Sequence, residues 1–152
     1  TEFPVLIVPE ACNFEQFKHI AYATDYLEDD IRVIDEVLYF ARKHHAKLSC
    51  IHVRTKPDTS KDDYKNELLK RAYYYDMTHD HIDFRVINHE DVVTGITHFV
   101  NWKEIDLLVM LTHHHSGIGK LFHHSNSREM ALLTHIPLWV YPMKRQPVPA
   151  IS

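Results

Sequence analysis

Short, nearly unbroken apolar runs alternate along the chain with longer stretches whose apolar residues recur every three or four positions. The runs are His19–Thr24 (HIAYAT), Lys47–Val53 (KLSCIHV), Ile82–Ile87 (IDFRVI), Ile105–Leu111 (IDLLVML) and Pro137–Tyr141 (PLWVY). Runs of this length read as strands. Ile105–Leu111 is continuous enough for a strand buried on both faces. Ile82–Ile87 alternates, which suits an edge. Between them, Asp29 to about His44 carries Ile31, Ile34, Val37, Leu38 and Ala41 at helical spacing. Ser60 to about Thr78 reads as one helix through Tyr64, Leu68 and Tyr75. Val92 to about Trp102 is a third helix and Ser127–Thr134 a fourth.

Strict alternation of strand and helix predicts an α/β fold, a doubly wound five-stranded parallel sheet with helices on both faces. Right-handed crossovers restrict it to a few strand orders. Ligands in such sheets sit beyond the carboxyl ends of the strands, where the order reverses. That directs attention to Asp25–Glu28, Val53–Lys56 and Thr112–Ser125.

The first residues stand outside this alternation. Thr1–Pro9 reads TEFPVLIVP and Thr134–Pro142 reads THIPLWVYP, with Thr, Pro and Pro at the same offsets. We read this as an internal repeat. Pro4–Val8 is then an extra N-terminal strand, the last strand of a preceding copy, and is expected to pair antiparallel with Pro137–Tyr141, in the same chain or a neighbour. The organisation expected is a terminal strand and linker over residues 1–14, a domain over 15–143 and a flexible tail over 144–152.

Composition narrows the function. The 152 residues are 45% hydrophobic, with 17 basic and 21 acidic side chains and a formal charge of -4. A mildly acidic chain lacks the clustered cations that hold phosphate backbones, so no nucleic-acid partner is expected. No apolar run approaches the roughly 20 residues of a spanning helix. Cys12 and Cys50 form neither a disulfide framework nor a metal-ligand spacing, and a cytoplasmic location is expected. Glycine occurs only 3 times, where average usage would give roughly 11. Histidine occurs 14 times.

The strand ending in Ala23-Thr24-Asp25, the strand ending in His52-Val53, and Asp106–Met110 followed by Thr112-His113 together resemble the universal stress protein domain. Ser125, a following helix and Ile136–Val140 extend the resemblance over residues 18 to 142. The N-terminal PVLIVPE resembles the end of another such domain, so the chain resembles the C-terminal half of a tandem member. The resemblance implies an adenine nucleotide alpha-hydrolase-like sheet of order 3-2-1-4-5. It also implies self-association by antiparallel pairing of last strands, here Pro137–Tyr141.

Many members of that family bind ATP. The resemblance places the adenine contacts on Asp25 and Val53, and the ribose and phosphate loop after the fourth strand of the alternation, Ile105–Leu111. The three loop glycines of the family fall on Leu111, His114 and His124, and only the final hydroxyl survives, as Ser125. Glycine lets backbone N–H groups approach phosphate and allows positive φ. A left-handed backbone costs other residues roughly 1–2 kcal/mol. The candidate cofactor-binding residues are therefore Asp25, Val53, Thr112, His114, His124 and Ser125, in a degenerate ATP site. Asp25 is equally open to a turn or capping role, and Ser125 to a helix N-cap.

His113, His114, His115, His123, His124 and His135 crowd the same segment. Imidazole binds zinc, with His113, His115 and His123 the candidates, yet no HExxH pair holds two ligands on one helix face. A polar loop is the simpler reading. No nucleophile elbow surrounds the His-Ser pairs, and no catalytic residue is assigned. The expected function is a non-enzymatic stress-response module acting through self- or partner association. The alternatives are an ATP-binding member with slow or no hydrolysis, and a metal- or pH-responsive variant using the loop histidines.

Overall fold

The computed structural model of the chain describes residues 3–13, 15–57, 60–112 and 135–143. The strands are β1 (Val5–Ile7), β2 (His19–Ala23), β3 (Lys47–Arg54), β4 (Ile82–Asn88), β5 (Leu107–Thr112) and β6 (Leu138–Pro142). The helices are α1 (Asp30–Lys43), α2 (Ser60–Ala72), α3 (Tyr74–Thr78) and α4 (Val92–Trp102). One sheet has the order β1-β6-β5-β2-β3-β4. β2 to β6 are parallel and, counted from β2, run 3-2-1-4-5. β4 lies at the edge its alternation predicts.

The antiparallel strand is β1, paired with β6 as Val5↔Val140, Leu6↔Trp139 and Ile7↔Leu138. The expected extra strand is thus present, in the same chain and in the expected direction.

Strand periodicity sorts the core into two layers. Ile20, Tyr22, Leu48, Cys50, Leu107 and Val109 face α1, α2 and α3. Ala21, Ile51, Val53, Leu108, Met110 and Val140 face α4. Helix α1 is built for its place: Val33, Ile34, Val37, Leu38 and Ala41 are all buried on one stripe. Arg42 and Lys43 sit in its last turn, where cations complement the helix dipole. His45 takes a left-handed φ of 53°, and the Ala46 N–H closes the helix end on the Ala41 carbonyl at 2.8 Å. Helix α4 starts on Asp91, whose carboxylate accepts from the Thr94 N–H at 2.9 Å.

One expected element is divided. The helix read over Ser60 to Thr78 ends at Ala72 and resumes at Tyr74. Tyr73, at φ -111° and ψ 27°, leaves helical geometry. Its ring is buried beside Phe84, and its hydroxyl donates to Asp35 Oδ1 at 2.6 Å. Docking that one side chain into the core outweighs continuing the helix, while Tyr74 and Tyr75 remain exposed. The helix expected at Ser127–Thr134 lies outside the described residues.

Candidate functional site

Five parallel strands bring their carboxyl ends to one rim. The order reverses at β2, which lies between β3 and β5. Asp25 follows β2, Val53 lies near the end of β3 and Thr112 ends β5, so three of the sequence-derived candidates share the rim. His113, His114, His115, His123, His124 and Ser125 lie outside the described residues.

Asp25 and Val53 play different parts. The Asp25 side chain is 80% exposed, with Oδ1 3.8 Å from His52 Nδ1. The Val53 side chain is buried against α4. Gly95 makes room for it: a Cβ there would stand 2.8 Å from Val53 Cγ1 and 3.2 Å from His89 Cβ. Val53 therefore fills the core.

The corner between β2 and α1 is organised by Asp30. This carboxylate is 2% exposed. It accepts from the Tyr22 and Thr24 hydroxyls and, at 2.9 Å, from the Leu27 N–H. Burial pushes its carboxyl above the usual range, against the pull of those three donors. Burial also raises the Tyr22 phenol, with the Asp30 charge next in effect. The Thr24 hydroxyl in turn accepts from the Tyr26 N–H at 3.0 Å. Tyr26 holds a left-handed φ of 57°. The turn-closing role open to Asp25 thus belongs to Thr24 and Asp30. The start of α1 uses Asp29 as its flanking residue without a side-chain cap. Arg32 reaches from α1 to Asp29 at 3.0 Å and to the Pro142 carbonyl at 3.3 Å, tying this corner to the end of β6.

His52 fills the space between β2, β3 and α2. Its Nδ1–H donates to the Thr24 carbonyl at 2.9 Å. Nε2 lies 3.4 Å from Asp62 Oδ2, in the first turn of α2. The ring packs on Tyr26 with centroids 4.3 Å apart. Tyr26 donates to Asn66 Oδ1 at 3.5 Å, and burial raises its phenol with help from Asp62 and Asp63. Arg54 Nη1 donates to Asp63 at 3.0 Å. This end of the rim is closed by rings and lined by carboxylates.

Sequence reasoning missed Asp30, His52, Tyr26 and Asp62. Glu28-Asp29-Asp30 looks like an ordinary acidic helix start. His52 sits inside an apolar run and reads as core. The available signal was an acid at the first position of a helix that follows a strand segment closing in Tyr-x-Thr, two hydroxyls on one face.

At the opposite rim a cavity of about 200 Å³ is lined by Cys12, Glu15, Lys18, Asp106, His135 and Pro137, among others. Asp106 there accepts from the Lys18 and His19 N–H groups at 2.8 and 2.9 Å. Among the described residues no three His, Cys, Asp or Glu side chains are grouped to hold a metal ion. Among them, no helix is long and apolar enough to cross a membrane.

A model described as the universal stress protein family matches residues 16–142. A universal stress protein from Archaeoglobus fulgidus superposes with a TM-score of 0.69 at 14% identity, covering 93% of this chain and 50% of that one. This chain therefore spans half the length of that protein. A universal stress protein solved in complex with cAMP gives 0.60 at 17% identity, over 84% and 98% of the two chains. An Archaeoglobus fulgidus universal stress protein in complex with dAMP gives 0.56 at 13%, over 86% and 100%. At these identities the likeness establishes the fold. No protein of curated function matches the chain.

Proposed function

The chain belongs to the universal stress protein family, and from that premise we propose that it is a stress-response module that performs no chemical step and acts by association. Its nucleotide site is reduced to the base-binding end. It forms the C-terminal half of a tandem arrangement, with β1 standing for the last strand of a preceding copy.

The observation that carries this reading is the register of the β1–β6 ladder. In the repeat between Thr1–Pro9 and Thr134–Pro142, Leu6 corresponds to Trp139, Val5 to Leu138 and Ile7 to Val140. In the ladder Leu6 faces Trp139, its own counterpart. Val5 faces the counterpart of Ile7, and Ile7 faces the counterpart of Val5. That is the pattern of an isologous contact, in which equivalent strands meet about a two-fold axis. β1 thus holds the β6 edge through which two copies would otherwise pair. A variant lacking residues 1–9 bares that edge. Sedimentation at tens of micromolar should find it dimeric, while the whole chain stays monomeric. A truncated chain that remains monomeric would remove the association reading.

A second reading is ATP binding with slow or no hydrolysis. It is favoured by Asp25, Val53 and Thr112 sharing one rim, and by relatives solved with cAMP and dAMP. A thermal melt of chelator-treated protein with millimolar magnesium-ATP tests it. Ligand at 100 times its dissociation constant stabilises by about 2.7 kcal/mol, a shift of roughly 5–10 °C. A shift of that size makes this the leading reading; no shift leaves the degenerate site standing.

A further inference from the structure

His52 faces two groups that can only accept hydrogen bonds. The Thr24 carbonyl oxygen lies 2.9 Å from Nδ1, and Asp62 Oδ2 lies 3.4 Å from Nε2. A neutral imidazole carries one N–H and one lone pair. With its proton on Nδ1, the Nε2 lone pair points at a carboxylate, which is repulsive. With its proton on Nε2, the Thr24 carbonyl loses its donor. The imidazolium satisfies both at once.

We propose that His52 is a proton-operated latch that fastens the first turn of α2 to the carboxyl ends of β2 and β3. Protonated, it bridges Thr24 and Asp62 and closes the rim beside Asp25. Deprotonated, it keeps the carbonyl contact and releases Asp62, so the first turn of α2 loosens. The latch does not depend on any nucleotide binding, and His52 is not one of the histidines of the 113–124 segment.

Charged and polar groups reach His52 from every element packed against it. From the β2–α1 corner, Asp25 Oδ1 lies 3.8 Å from Nδ1 and the Tyr26 ring packs on the imidazole, tilted by 39°. From α1, Asp30 acts one step away, through the Thr24 hydroxyl. From α2 come Asp62, Asp63 and Asn66, with Lys65 Nζ 6.0 Å from the Tyr26 ring centre. From β3, Arg54 opposes the cation, but Asp63 holds its guanidinium at 3.0 Å. What α2 buries beneath this turn is chiefly Asn66 and Leu69, so the turn is fastened mainly by Asp62 on His52 and by Asp63 on Arg54.

The test is NMR of the whole chain across pH, following the His52 ring and the amide protection factors of residues 62–66 together. Protection corrected for intrinsic exchange should fall several-fold as His52 loses its proton. In Asp62→Asn the same amides should be weakly protected at every pH, and His52 should release its proton at lower pH than in the wild type. His52→Gln should leave α2 protection independent of pH while the far-ultraviolet spectrum stays native. If α2 protection is the same on both sides of the His52 titration, or if Asp62→Asn leaves that titration in place, the latch is wrong.

Discussion

The two faces of the sheet are built from different chemistry. The α4 face is almost dry: Val93, Ile96, Phe99 and Val100 pack on Ala21, Ile51, Val53, Leu108 and Met110. Its buried Thr97 hydroxyl returns to the Val93 carbonyl one turn back, at 2.8 Å, and the buried Ser49 hydroxyl pairs with His19 Nε2 at 2.7 Å near the far end of the strands. The α1–α3 face carries the Tyr22–Thr24–Asp30 network, His52, Asn66 and the Tyr73–Asp35 bond. Apolar packing is non-directional and fixes how much is buried. Hydrogen bonds in a low dielectric fix where each group sits, and they are costly when left incomplete. The dry face supplies stability. The polar face places the rim.

Substitutions on the two faces should therefore fail in different ways. Ile96→Ala on the dry face leaves a cavity and should cost about 4 kcal/mol. That lowers the melting temperature by roughly 8–16 °C, with the rim contacts of Tyr26 and His52 unchanged by NMR. Asp30→Ala strands two hydroxyls and one N–H and should cost about 3 kcal/mol. Here the resonances of residues 24–28 should shift strongly. If Ile96→Ala disturbs the rim as much as Asp30→Ala, the division between the faces is wrong.

Gly95→Ala tests where the two regions touch. Its Cβ would meet Val53 Cγ1 at 2.8 Å, so the Val53 side chain must shift, at about 2 kcal/mol. The Ala variant should weaken any ligand bound at the rim as well as lowering the melt.

Acid separates the faces again. On the dry side, the Thr94 backbone and hydroxyl hold the Asp91 carboxyl below its ordinary value. Its contribution is full above the unfolded pKa, near 3.9, and is lost as pH falls through the folded value. Asp91→Ala should cost about 1 kcal/mol at neutral pH and progressively less below about pH 4. Asp30 is raised by burial, so its share has the opposite sign: present in acid and lost as pH rises through its raised value. Urea titrations of Asp91→Ala and Asp30→Asn against wild type at pH 3 and 7 check both signs. The smallest effect belongs at the edge. Leu6 is 52% exposed, and Leu6→Ser should change stability by under about 0.5 kcal/mol.

Periodicity carries the fold because it records which face each residue buries. The five parallel strands, the edge place of β4 and the helices α1 and α4 are all legible that way. Tyr73 was not, since a helical pattern does not say that one ring will leave the helix to meet Asp35 and Phe84. At the rim, Asp25, Val53 and Thr112 were placed together by strand ends alone. Asp30 and His52 were not, because their chemistry lies in their partners. The Tyr22 hydroxyl is 8 positions from Asp30, and the Thr24 carbonyl is 28 from His52. A buried acid and a core histidine look ordinary until those partners are in view.

The β1–β6 ladder also sets an order of events. It joins Val5 to Val140, nearly the whole length of the chain apart. Contacts of such separation bear the largest loop-closure entropy and form late. During synthesis β1 leaves the ribosome well before its partner strand. Phe3, Val5, Leu6, Ile7 and Val8 then wait unpaired while the parallel sheet assembles. A short, apolar, uncharged segment in that state is open to chaperones and to aggregation. The ladder is therefore a completion signal as much as a contact: it closes only after the parallel strands between its two members are in place.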